Sequence, residues 1–152
     1  MIFSFLLFKK KNFFLKKRNF PGKSLIVIDR DKAALDKITA VCKEHKIDCF
    51  TAHDPKRGLE LVTAHKPYAA VLSADFAPDL PRLRSSHEEY KNLLVIILAE
   101  EKWAGSRAAL VDSLIKTGAQ EFVSKPINPN KLIGVIERLF TGKPITSKST
   151  AQ

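Results

Sequence analysis

The chain has 152 residues with 26 Lys and Arg against 16 Asp and Glu, a formal net charge of +10, and 45% hydrophobic residues. That length suits one domain with short extensions and a substantial core. The charge is unevenly placed: residues 1–23 hold seven basic residues and no acid, residues 141–152 hold two and none, and residues 24–140 net only +1. A nearly neutral body offers no basis for nucleic-acid binding, so the surplus belongs to the ends.

In chain order, Met1 to Phe20 is built almost wholly of Phe, Lys, Leu, Asn and Ile. Its longest uncharged stretch, Ile2 to Phe8, is far short of the ~20 residues of a membrane span. The basic cluster Lys9-Lys10-Lys11 follows the apolar run, the wrong order for a secretory signal. Basic residues interleaved with Phe suit weak contact with an anionic membrane surface; a plain tail, or upstream sequence included by a wrong start, are the alternatives. Pro21-Gly22 punctuates the segment, so 1–23 is read as an extension, 24–140 as the domain and 141–152 as a tail.

Ser24 to Ile28 reads as a buried strand. The stripe Leu35, Ile38, Val41 and Cys42 marks a helix over about 32–45, with Asp31 at its N-cap. Ile47 to Ala52 is a second strand. Asp54-Pro55 opens a helix carrying Leu59, Leu61 and Val62 to His65. Ala69 to Ser73 is an uncharged run between turn signals, the pattern of a strand covered on both faces. Residues 79–92 offer only Leu80, Leu83 and Tyr90 as sizeable apolar groups, so any helix there is short or loosely packed. Leu93 to Leu98 is the most apolar strand. A loop with Trp103 leads to a helix with Ala108, Leu110, Val111, Leu114 and Ile115, which Gly118 ends. Glu121 to Ser124 is the fifth strand, closed by Lys125-Pro126, and residues 130–140 form the last helix.

Strands alternating with helices require right-handed crossovers and a parallel sheet. An α/β, flavodoxin-like, doubly wound sheet of order 2-1-3-4-5 is the usual solution for five strands. One core is expected to gather Val27, Leu35, Val71, Ile96, Ile97, Val123 and Ile136. No Gly-rich loop follows the first strand, which removes the signature of dinucleotide or phosphate-loop binding. The four His (45, 53, 65, 87) fall near helix ends at irregular spacing, suited to capping rather than metal ligation. Cys42 and Cys49 have no metal or redox spacing and read as small buried hydrophobes of a chain in a reducing cytoplasm. No cofactor is expected.

Ligands of such sheets gather outside the carboxyl ends of the strands, and there the sequence resembles the receiver domain of bacterial response regulators. The resemblance rests on Leu25-Ile26-Val27-Ile28-Asp29, Thr51-Ala52-His53-Asp54, Pro67-Tyr68-Ala69-Ala70-Val71-Leu72-Ser73 and Gly118-Ala119-Gln120-Glu121-Phe122-Val123-Ser124-Lys125-Pro126-Ile127. It implies an aspartate accepting a phosphoryl group after the third strand. It also implies two acids holding Mg²⁺ after the first, a hydroxyl after the fourth and a Lys after the fifth. Phosphoryl transfer needs these types: an oxygen nucleophile, a bridging divalent ion and cations over the equatorial oxygens.

Residue by residue, Asp29 and Lys125 match. Arg30 stands at the second acid and cannot ligate a cation, Ala74 stands at the acceptor position four before Pro78, and Ala99 stands at the hydroxyl position. Asp29, Arg30 and Lys125 sum to +1, where three acids and one Lys give −2. Asp75 is the nearest carboxylate, yet side chains alternate along a strand, so it faces away from the pocket unless a bulge turns it. Asp29 and Lys125 then read as a retained ion pair, worth little if exposed.

The expectation is a degenerate receiver with no enzymatic activity, a cytoplasmic module contacting a signalling protein through Lys102, Arg107, Phe122, Ile127 and Lys131. The alternatives are an active phosphoacceptor using Asp75, and a membrane-surface adaptor acting through residues 1–20. No DNA-binding output domain is expected after residue 140.

Overall fold

The computed structural model describes residues 20, 22–100, 108, 109, 112, 116 and 118–142. The strands are β1 (Ser24–Ile28), β2 (Asp48–Ala52), β3 (Ala69–Ser73), β4 (Leu94–Glu100) and β5 (Glu121–Lys125). The helices are α1 (Lys32–Glu44), α2 (Pro55–His65), α3 (Leu80–Ser85) and α4 (Pro129–Thr141), with 3₁₀ turns at Ala74–Asp79 and Glu88–Tyr90. Ala108, Ala109, Asp112 and Lys116 are helical; Trp103, Leu110, Val111, Leu114 and Ile115 lie outside the described residues. All pairings are parallel and the order is β2-β1-β3-β4-β5, as the alternation of elements required.

Side-chain caps start the helices where the sequence signals them. Asp31 Oδ1 accepts from the Ala33 N–H, Asp54 Oδ1 from the Arg57 N–H ahead of Pro55, and Asn128 Oδ1 from the N–H groups of Asn130 and Lys131. Gly142 ends α4 in the left-handed region, φ 73°. At Gly58 on α2 the helix approaches β1 so closely that an added Cβ would collide with the Ile28 side chain.

The sheet has two covered faces, and the period-2 alternation of strands divides the core between them. Val27, Leu35, Val71, Ile96, Val123 and Ile136 lie under α1 and α4. Ile97, expected with them, lies in the opposite cluster with Ile28, Leu72, Leu80 and Leu83. As the neighbour of Ile96 on one strand it points the other way. Several strand ends also differ from expectation, β5 by one residue at Lys125. β2 begins at Asp48, because the Ile47 N–H is bonded to the Cys42 carbonyl in the turn after α1. β4 starts at Leu94 and runs on to Glu100, because Ala99 and Glu100 pair with Ser124 and Lys125.

Residues 79–92 are short in their helices, as expected, but not loosely packed. Leu80, Leu83 and Tyr90 are all buried, and polar groups tie the segment down. Arg84 donates through Nε and Nη2 to the Leu93 carbonyl (3.2 and 2.8 Å) and through Nη2 to that of Gly118 (2.8 Å). Tyr90 Oη donates to the Val62 carbonyl at 2.8 Å. Composition alone hides this, since the anchoring groups are an Arg and a phenol.

Phe20 and Lys23, assigned by sequence to the extension, pack on the body at the amino ends of the strands. The Phe20 ring meets Phe140 edge-on at 5.2 Å, and Lys23 Nζ lies 3.6 Å over the Tyr68 ring. No helix among the described residues is long and apolar enough to cross a membrane.

Candidate functional site

Asp29 leaves β1 at the carboxyl edge of the sheet and Lys125 ends β5, and the fold brings them together across the strand ends. Lys125 Nζ lies 2.7 Å from Asp29 Oδ2. The Asp29 side chain is 3% exposed and that of Lys125 17%. Asp29 Oδ1 accepts the Asp31 N–H at 2.9 Å, while Oδ2 has no aligned hydrogen-bond donor. The Lys125 contact is thus charge against charge, off the hydrogen-bond line, and it is what balances that oxygen. The pair is buried, so it is not the weak exposed bridge that sequence reasoning allowed. The Lys125–Pro126 peptide bond is cis.

Asp31 has a second role that the sequence reading missed. Besides capping α1, its Oδ2 stands 3.6 Å from Lys125 Nζ. Lys125 is therefore held by two carboxylates. Its alternation with Asp29, two residues apart around a turn, is the signal that could have shown this.

Arg30 turns out of the cluster. Its guanidinium carbon lies 4.8 Å from the ring centroid of Phe76, a cation–π contact. Phe76, itself 3% exposed, sits two residues past position 74 in the 3₁₀ turn. Nothing in the sequence announces that pairing, which joins residues 46 positions apart.

Ala74 and Ala99 are both buried in the cluster containing Phe76. The β3–β4 register runs unbroken from Ala69↔Leu94 to Ser73↔Leu98, and the 3₁₀ turn follows at once. No bulge intervenes to re-aim Asp75. It is exposed between buried Ala74 and Phe76, and its N–H donates to Ser73 Oγ at 3.4 Å, which makes Ser73 the cap of the turn. Among the described residues no three His, Cys, Asp or Glu side chains gather as a metal site.

Of the expected contact face, Lys131 is exposed and Phe122 half-buried against the second cluster. Ile127 is 5% exposed and packs in the first cluster, so it offers no surface. Lys102 and Arg107 lie outside the described residues. On the far side of the sheet, Cys42 is buried as expected, but Cys49 is only partly so. His45 caps the end of α1, and the His65 ring stacks on Phe50 at 3.8 Å.

No protein-family model and no curated protein matches the sequence. Solved structures do. The chemotaxis protein CheY4 of Vibrio cholerae superposes with a TM-score of 0.68 at 14% identity, over 77% of this chain and 98% of that one. The receiver domain of the Francisella response regulator 1452 gives 0.66 at 25% identity, over 79% and 98%. A two-component response regulator of Clostridium difficile gives 0.65 at 14%, over 78% and 96%. The chain has the fold of the response-regulator receiver domain.

Proposed function

We propose that the chain is a receiver-fold signalling module of the cytoplasm that acts by binding another protein, without phosphorylation on aspartate. The observation that carries this is the acceptor position. Ala74, which the resemblance sets at that position, is buried, and the adjacent Asp75 is exposed in the 3₁₀ turn that follows an unbroken β3–β4 register. In-line phosphoryl transfer needs a nucleophilic oxygen held beside a divalent ion and a cation. Here the cation is already matched by Asp29 and Asp31, and the Arg30 guanidinium occupies the face of Phe76.

Without a differential ligand, a conformational equilibrium stays where its intrinsic energies set it. The module accordingly presents one state of its binding face, built from Phe122 and exposed Lys131 and, by the sequence expectation, Lys102 and Arg107. Incubation with a small-molecule phosphoryl donor and millimolar Mg²⁺ should incorporate no phosphate and leave the melting temperature unchanged. Stoichiometric labelling that Asp75→Asn abolishes would establish the phosphoacceptor reading instead.

A further inference from the structure

We propose that Cys42 and Cys49 are a thiol pair that a hydroperoxide oxidises to a disulfide within the chain. They lie seven positions apart, and the backbone folds back between them. The Cys42 carbonyl accepts the N–H of His45 and that of Ile47, at 3.2 and 2.9 Å, and Lys46 takes a left-handed conformation, φ 57°. Cys49 then enters β2 two residues past Ile47, against the face of α1 that carries Cys42. Thr39, one turn before Cys42 on that face, places Oγ1 4.0 Å from Cys49 Sγ. Cys42 is part of the core cluster under α1, and Cys49 packs against the same cluster.

The two thiols have unequal environments. Cys42 is fully buried, whereas Cys49 is partly exposed on β2, which has a neighbour on one side only. Interaction with Cys42, helped by Thr39, holds the Cys49 thiol below its ordinary pKa, while interaction with Cys49 together with burial pushes Cys42 up. Exposure sets the roles: Cys49, the thiol a peroxide reaches, is the nucleophile, and buried Cys42 is the resolving thiol.

The chemistry balances with a hydroperoxide as oxidant. The Cys49 thiolate attacks the distal peroxide oxygen; the O–O bond breaks, and the alcohol or water leaves with a proton. The product is a sulfenic acid on Cys49. Cys42 sulfur then attacks that sulfur; the S–O bond breaks, the Cys42 proton joins the departing hydroxide as water, and the S–S bond forms. Two thiols are oxidised and one peroxide is reduced. The link ties edge strand β2 to the end of α1.

The test uses the full reduced chain with hydrogen peroxide. The expected product is a monomer lighter by two hydrogens, in which both cysteines resist alkylation until a reductant is added. Cys42→Ala should stop at a sulfenic acid on Cys49 that dimedone captures. Limiting iodoacetamide on the wild-type chain should modify Cys49 before Cys42, a readout independent of how the variant folds. Unchanged mass after peroxide, disulfide-linked dimers as the sole product, or Cys42 alkylated first would each overturn the proposal.

Discussion

Removing the Lys125 charge tests how the site end of the sheet is held. Lys125→Met keeps most of the side-chain volume and deletes the only group among the described residues that balances Asp29 Oδ2. Breaking a buried ion pair by removing one partner costs about 3–5 kcal/mol, because a buried charge is left uncompensated. Asp29 meets that condition at 3% exposure. The reverse change is milder. In Asp29→Asn, Lys125 keeps Asp31 at 3.6 Å and is itself 17% exposed, so the cost should be about 1–2 kcal/mol. The double variant removes both charges and should cost less than the sum of the singles by about 1–3 kcal/mol. Urea unfolding reads all three, and for Lys125→Met the midpoint should fall by on the order of 2 M at unchanged slope. Added salt should restore little of it, since screening barely reaches buried pairs. A Lys125→Met cost below about 1 kcal/mol, or strict additivity in the cycle, would show that the 2.7 Å contact does not bear on stability.

Other perturbations read the packing. Val71→Ala, on the central strand and fully buried, should lower stability by about 1–3 kcal/mol, seen as a fall in the urea midpoint. Arg84→Met leaves the Leu93 carbonyl without its guanidinium donor and should cost about 1–3 kcal/mol, with faster amide exchange at the start of β4 as the local signature. Gly58→Ala forces α2 away from Ile28; a cost of about 1–3 kcal/mol by thermal melting is expected, and a stabilised variant would refute the close approach. For the binding face, Phe122→Ala and Lys131→Glu should weaken capture of a native partner while Lys56→Glu leaves it intact; the opposite pattern would move the surface to the α2 side.

The elements were legible because each is marked locally. Asp31, and Asp54 with Pro55, start helices by chemistry that involves only neighbours, and the uncharged run at β3 marks a strand covered on both faces; Asn128 and Pro129, which start α4 one residue earlier than expected, carry the same kind of signal but were passed over. Contacts between distant residues were not legible. The sequence places Arg30 at a strand end but does not say that Phe76, 46 positions on, will take its guanidinium. Spacing put Cys42 and Cys49 outside any motif, yet a turn after α1 sets them side by side. The end of β4 was misread for the same reason. Ala99 and Glu100 extend the strand through pairing with β5, which no property of residues 99 and 100 announces.

The charges around this strand-end cluster bear on the proposed independence from phosphorylation. A site with several carboxylates and one Lys carries excess negative charge, and bringing carboxylates together out of water requires a counterion. Asp29, Asp31, Arg30 and Lys125 carry two charges of each sign, while Asp75 and Glu100, at the ends of β3 and β4, are exposed to solvent. Lys125 lies 2.7 and 3.6 Å from the two carboxylates. Arg30, the remaining cation, is drawn to an aromatic face rather than to an anion. The apolar side of the cluster is closed by Ala74, Phe76 and Ala99, packed together under one face of the sheet. On the proposed reading, a buried carboxylate already paired with Lys125 leaves less for a cation to balance. On that reading, the missing carboxylate at position 74 and the paired Lys125 would withhold phosphoryl chemistry and favour one arrangement of the sheet edge, which a constitutive binding face requires.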